Sequence, residues 1–398
     1  MQAYPGTGDI DVPARAGACF LKKKIEYCKH NIGEEELDRV ERVFRSLFLT
    51  TGDEVAEFEK DLASYLGLPH TVAVTSCTAA MQLALLAAGI GPGDEVITTP
   101  LTFIGTANSI IMAGATPIFA DAERSTGNID PRAIEAAVTT RTRAILPVHL
   151  YGQMCDMAAV TMIAAHNKLT VVEDAAHSLE AEWNGKKPGH WGDYACFSFY
   201  ATKSITSGEG GAISAKDAGR AELLKRLRLH GFDKSAVDRY SNHFEKYDVD
   251  IFGWKYNMDN IHAAILVEQL KKVEGFLARR AEIYDRYADA FGEVEGIELH
   301  TRRVEARHAC HLFTILVDAA RREAILEELQ KRGVGVSVNF YPIHLMTFYR
   351  ERFGYKQGMF PVAEEISSRT ISLPLYPKLT EKEIDYVVKT VIDVVKSI

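Results

Sequence analysis

Cysteine is scarce in this chain. Six cysteines in 398 residues, at positions 19, 28, 77, 155, 196 and 310, are too few for a disulfide framework. No two lie closer than nine residues, so no C-x-x-C pair for zinc or thiol exchange exists. Free thiols in a reducing compartment are the expectation. Long apolar runs are missing as well. The longest, Ala79 to Ile90, is broken by Gln82 and Gly89, whereas a membrane helix needs roughly 20 apolar residues in a row. Positive charge is in deficit. Forty-six Lys and Arg against 54 Asp and Glu give a net charge of −8, a poor balance for binding a phosphate backbone. Glycine (29) and proline (13) stay near average shares, which excludes collagen-like and low-complexity architectures. The opening MQAYPGTGDIDVPARAGACF has no basic stretch followed by an apolar run, so it does not read as a secretory signal. The expectation is a soluble cytoplasmic protein without nucleic-acid or membrane partners. Residues 1–24 read as a loose N-terminal arm ending at Lys22-Lys23-Lys24.

With 47% hydrophobic and 25% charged residues, what is there is ordinary globular sequence. Apolar residues recur at helical spacing over Glu34–Leu47 and Glu54–Leu66. Alternation then begins. Short β-branched runs at 71–74, 95–99, 116–120, 144–150 and 170–173 alternate with helical stretches near 78–89, 104–113, 131–138 and 156–167. Strand and helix in turn predict an α/β domain with a mostly parallel sheet between helices. The rhythm lapses after residue 173, where strands at 196–199 and 211–215 follow closely. Residues 258–293 read as almost wholly helical. Beyond them come a strand at 311–318, a helix over 321–332, a strand at 335–340, helices near 343–352 and 361–369, and a last helix from 381 to about 396. This predicts a large domain over 25–275 and a small C-terminal α+β domain over 276–398.

The lapse in rhythm carries the chemistry. Asp174 ends an apolar strand, and ligands of parallel α/β sheets sit at the carboxyl ends of strands. Lys203 lies 29 residues later, just after the strand CFSF, among hydroxyl residues and before a glycine-rich turn. A lysine so placed can be desolvated, lose its proton and form a Schiff base with an aldehyde. An acid beside an aromatic nitrogen keeps that nitrogen protonated. Together they match the requirements of pyridoxal 5'-phosphate (PLP) enzymes. The HACH string at 308–311 lacks a wider ligand cluster. His308 and His311 are therefore expected to be packing residues, with no metal site.

The strings EDAAHS (173–178), SFYATK (198–203) and TSGEGG (206–211) resemble the nucleotide-sugar aminotransferases of the DegT and StrS type, which are fold-type-I PLP enzymes. So do LTTG at 49–52, TSCTAAMQLAL at 75–85, TPLTFIGTANSI at 99–110, HLYGQ at 149–153, KYNMDNIHAAI at 255–265 and FPVAEEISSRTISLPLYPKLT at 360–380. The resemblance implies a seven-stranded large-domain sheet. It implies that Lys203 is the catalytic lysine carrying PLP and that Asp174 is the partner of the pyridine nitrogen. Ser198, Thr78 and Ala79 would bind the cofactor phosphate, the last two at a helix N-terminus, which favours an anion. Phe103 would stack on the ring. His177, where many relatives carry Gln, would approach the phenolic oxygen. Asn257 would reach the phosphate in the neighbouring subunit, in a homodimer with shared active sites.

The resemblance further implies transfer of nitrogen from L-glutamate to a nucleotide-linked keto sugar. The segments 226–240, 252–258 and 338–355 look most like the branch acting on UDP-4-keto sugars. Arg228, His230, Tyr341 and His344 are the candidates to face nucleotide or sugar. Arg228, His230, Lys234, Arg239 and Lys246 together form a cationic group suited to a diphosphate. A dTDP-3-keto-sugar 3-aminotransferase and a PLP-binding regulatory protein without turnover are the alternatives. Related sugar dehydratases replace the lysine with histidine, and Lys203 argues against that role.

Overall fold

A computed structural model describes residues 24–233 and 248–398. Helices α1 (Glu34–Phe44) and α2 (Asp53–Leu66) come first, followed by β1 (His70–Val74), α3 (Cys77–Ala87), β2 (Glu95–Thr98), α4 (Ile104–Met112), β3 (Thr116–Phe119), α5 (Pro131–Ala137), β4 (Thr142–Ile145), α6 (Met157–Asn167) and β5 (Thr170–Asp174). Next are β6 (Glu182–Trp183), β7 (Tyr194–Ser198), β8 (Gly211–Ala215), α7 (Ala218–Leu227) and the long α8 (Asn260–Phe291). The chain closes with β9 (Glu298–Leu299), β10 (Ala306–Arg307), β11 (Phe313–Leu316), α9 (Arg322–Lys331), α10 (Thr347–Phe353), α11 (Pro361–Arg369), β12 (Thr370–Leu373) and α12 (Glu381–Ser397).

The large sheet has seven strands in the order β1-β8-β7-β5-β4-β2-β3, with β8 alone running against the rest. Its central strands are buried on both faces, as expected when helices cover both sides. The reversal explains the lapse in helical rhythm, because an antiparallel neighbour needs no crossover helix. It also brings chain ends together. Val74 and Ser198 both pair with Gly211, and Asp174 pairs with Cys196, so the carboxyl ends of β1, β5 and β7 meet the start of β8 at one edge.

Helix α8 connects two cores. Its side chains up to Val273 pack with α2 and with residues of β7 and β8, whereas those from Leu277 onward pack with β11, α9, β12 and α12. That change of partner is where we propose the two domains divide. The small sheet is antiparallel, in the order β12-β11-β9.

Two sequence expectations need correction. The strand expected at 335–340 does not form. Only Ser337 makes a bridge there, to Ser372, and the segment lies half-buried along a cavity. Conversely, β12 and α7 were not anticipated. Thr370-Ile371-Ser372-Leu373 alternates over only four residues directly after a helix, too short a stretch to stand out by period, and β12 is defined by its pairing with β11.

Candidate active site

The meeting edge of the large sheet opens into a cavity of about 490 Å³, lined by residues of that edge and by residues on the C-terminal side of α8. Asp174 reaches it from the end of β5. Its carboxylate accepts hydrogen bonds from Thr106 Oγ1 (2.7 Å, to Oδ2) and from the Ala176 N–H (3.1 Å, to Oδ1). Thr102 Oγ1 lies 3.1 Å from Thr106 Oγ1, so it can donate to Thr106, whose own proton goes to Asp174. Burial pushes the Asp174 acid up, while Thr106, Ala176 and the charge of Lys203 pull it down. Lys203 follows β7, its backbone N–H bonded to Tyr200 O at 2.9 Å. Enclosure lowers its ammonium to about 8, against the upward pull of Cys77, Asp174 and Cys28. About a tenth of the lysine is thus free amine at pH 7, far more than at the ordinary lysine value, and the free amine is the form a nucleophile requires.

His177 is buried in the wall and lies well below its usual value, first from burial and then from the charge of Lys203. Its Nδ1 accepts the Tyr151 N–H at 3.3 Å, so the neutral ring carries its proton on Nε2 and can donate from it. Phe340 stacks on that ring at 5.8 Å, and Phe103, 58% exposed, stands 6.3 Å from Phe340. At the floor, Ser76 caps α3 by accepting the Ala79 N–H at 3.1 Å. Thr78 in the same first turn and Ser198 both line the cavity. Two glycines keep this floor open. A Cβ on Gly105 would come within 2.7 Å of Thr78 Oγ1, and one on Gly211 within 2.4 Å of the Ser76 carbonyl carbon.

These residues fit PLP. The acid suits a pyridine nitrogen, the imidazole Nε2–H a phenolic oxygen, the exposed phenyl ring a stacking partner, and the helix N-terminus with its hydroxyls a phosphate.

The structure brings Lys203, Asp174, His177, Ser198, Thr78 and Phe103 to this one cavity, and it places the remaining candidates elsewhere. Ala79 is buried in α3 with its N–H taken by the cap. Asn257 lies outside the cavity of its own chain, donating to Thr51 Oγ1 at 2.7 Å and accepting from Lys255 at 2.6 Å. Arg228 requires correction as a substrate contact. It ends α7 buried and pointing inward, with its guanidinium on Glu59 and on Ala73 O (2.6 Å). His230 packs edge-on to Phe232 away from the cavity. His344 is fully buried against Glu364 (2.9 Å) and Phe360. Tyr341 is exposed beside the lining residue Phe340. Lys234, Arg239, Lys246 and residues 1–23 lie outside the described residues.

Other lining residues were not singled out by the sequence. Tyr27 and Cys28 reach the cavity from ahead of α1, with Tyr27 Oη donating to Asn339 Oδ1 at 2.9 Å. That segment is tied down by a parallel bridge from Ile25 to Val334. Ser337 and Asn339 line the same side. His311, expected to be a packing residue, lines the cavity with its ring 4.4 Å from that of His177. An isolated histidine or tyrosine carries no periodic signal, so only the tertiary contacts place these residues here.

A model of the DegT/DnrJ/EryC1/StrS aminotransferase family matches residues 30–392. The spore coat polysaccharide biosynthesis protein SpsC of Bacillus subtilis is 45% identical over 378 residues, 94% of this chain and 97% of its own. Among solved structures, Spr1654 of Streptococcus pneumoniae, assigned as a sugar aminotransferase, superposes in its PMP form with a TM-score of 0.89 at 30% identity, over 94% of this chain and 99% of its own. PseC of Helicobacter pylori, an aminotransferase involved in the biosynthesis of pseudoaminic acid, superposes at 0.88 with 29% identity, over 94% and 100%.

Proposed function

The chain belongs to the DegT/DnrJ/EryC1/StrS aminotransferase family and is a PLP-dependent aminotransferase, and from that premise we propose that it moves the amino group of L-glutamate onto a nucleotide-linked keto sugar, a UDP-4-keto sugar, in the cytoplasm for polysaccharide biosynthesis. The observation that carries the reading is the meeting of Lys203 and Asp174 in one cavity. The relatives named for spore coat polysaccharide and pseudoaminic acid biosynthesis support the sugar. The wall opposite the floor supports it too. Tyr27, Ser337 and Asn339 offer neutral hydrogen-bonding groups suited to hydroxyls, and among the described residues no arginine lines the main cavity to clamp a keto-acid acceptor.

Bound PLP supplies an electron sink for the carbon that carries the amino group. The chain's own residues do the rest. Asp174 keeps its proton partner charged through hydrogen bonds that favour its anion. His177 Nε2–H would orient the cofactor ring, and Phe103 would cover it. Lys203 Nζ would take a proton from one side of the reacting centre and return it to the other. The same residues serve both half-reactions, so ping-pong kinetics are expected.

A homodimer with shared sites is part of this proposal. Asn257 does not line its own cavity and would serve the partner's. The exposed Phe44, Leu47 and Leu49, next to the Thr51 that Asn257 bonds, offer an apolar surface for a second copy. A mass-spectrometric screen of nucleotide keto sugars with glutamate tests the substrate. Amination of a UDP-4-keto sugar is the expected result. Amination of dTDP-3-keto sugars alone would replace this reading with the 3-aminotransferase alternative.

A further inference from the structure

His311 occupies a position that packing does not explain. It is 6% exposed, and it lines both the main cavity and a narrow pocket beside Lys203. Its delivery is specific. The Ala309 N–H bonds Gly152 O at 2.8 Å, the Leu312 N–H bonds Tyr151 O at 3.2 Å, and Cys310 between them takes a left-handed φ of 48°. A Cβ on Gly152 would sit 3.0 Å from the His311 nitrogen of the main chain. The turn therefore holds the ring against His177, 4.4 Å between centroids. Among the described residues neither ring nitrogen of His311 has a hydrogen-bond partner.

The groups facing the ring decide its charge. Burial, then His177, Lys203, Arg280 and His308, all disfavour an imidazolium. Arg280 lines the same narrow pocket, where its Nη2 is held by Glu180 (2.5 Å) and Ala309 O (3.3 Å) and its buried Nε has no partner among the described residues. The imidazole is thus neutral, with one nitrogen free to accept. Lys203 shares both the cavity and the narrow pocket with it.

We propose that His311 is a positioning residue for Lys203: one ring nitrogen accepts a hydrogen bond from Nζ whenever that nitrogen is free of the cofactor and carries a proton, so the proton stays beside the reacting centre. This rests on the reading of Lys203 as the proton carrier. An acceptor that holds the ammonium raises its pKa, and losing the acceptor lowers it.

The test uses apo-enzyme and PLP. Only the free amine attacks the aldehyde, so the rate of covalent PLP uptake against pH reports the titration of Lys203. The wild type should show a midpoint near the about 8 set by enclosure. His311→Phe should lower it by about 0.5–1 unit, and should slow the half-reaction with glutamate about tenfold while PLP affinity holds. His311→Gln, which keeps an acceptor, should restore part of both. An unchanged midpoint in His311→Phe, or equal shifts in the two variants, would overturn the proposal. No sugar or amino donor is present in the uptake measurement, so a wrong acceptor sugar would leave the midpoint where it is. Covalent uptake by Lys203→Ala would instead remove the reading of Lys203 itself.

Discussion

At the scale of single residues, the site sets function against stability. Asp174 has a raised acid in the fold because burial disfavours its anion, so its protonated form contributes stability that the anion does not. That stability is present below the ordinary aspartate value and is lost as pH rises through the raised one. Asp174→Asn should therefore raise the melting temperature of the apo-protein at pH 7 and yet abolish most turnover, because an amide cannot hold a pyridinium proton. Thermal melts and turnover of the same preparation check both halves. Lys203→Ala should lose covalent cofactor altogether, read by borohydride reduction and peptide mapping. Thr106→Val removes the 2.7 Å donor to Asp174 and should push that acid higher still. A weaker PLP affinity that Thr106→Ser restores is the expected signature.

At the scale of elements, two close contacts hold the site in place. The start of β8 passes so near the first turn of α3 that a side chain at Gly211 meets backbone at 2.4–2.6 Å. Gly211→Ala must push β8 and α3 apart, which opens the floor between Thr78 and Ser198. PLP affinity, followed by absorbance, should fall at least about tenfold with helix content retained. Farther away, Arg39 of α1 ties together Glu54 (2.6 Å) and Glu57 (2.5 Å) of α2 and Glu268 (2.9 Å) of α8. Its side chain is 9% exposed, so Arg39→Ala leaves facing carboxylates without their cation. A loss of about 3–5 kcal/mol in urea unfolding is expected.

At the scale of the whole molecule, titration should weaken the fold in mild acid. Burial lowers His300 to about 4 and His308 to about 3, and holds His177 and His311 well below the ordinary value. The unfolded chain takes up these protons as pH falls through about 6.5 and the folded chain refuses them. Stability is full above that value and is lost below it, by up to about 1.4 kcal/mol per histidine per pH unit. Urea midpoints at pH 7 and pH 5.5 measure the drop, and His300→Gln, outside the cavity, should shrink it. The shared-site dimer has its own test at this scale. Lys203→Ala mixed with an Asn257 variant should regain some activity once subunits exchange, since one site of the heterodimer holds both intact residues. No recovery despite proven exchange would count against sharing.

Much of this was legible in the sequence, because period and local chemistry are written there. Alternating β-branched runs and helical stripes specify parallel strands and covering helices wherever burial on both faces decides the outcome. An acid at a strand's end and a lysine after the strand CFSF point toward a cofactor site by placement, and the motifs around them carry the resemblance that makes the reading specific. Tertiary structure decided what depends on distance across the chain. It turned β8 against its neighbours, formed β12 by pairing with β11 and left 335–340 bridged at Ser337 alone beside the cavity. It also decided which way each polar side chain points. Arg228, read as a diphosphate contact, is held inward by Glu59, while His311, read as packing, stands beside Lys203. A charged residue in a loop looks the same in sequence whether its partner is a ligand or a carboxylate 169 residues away. Only the packing of the two domains around one cavity tells them apart.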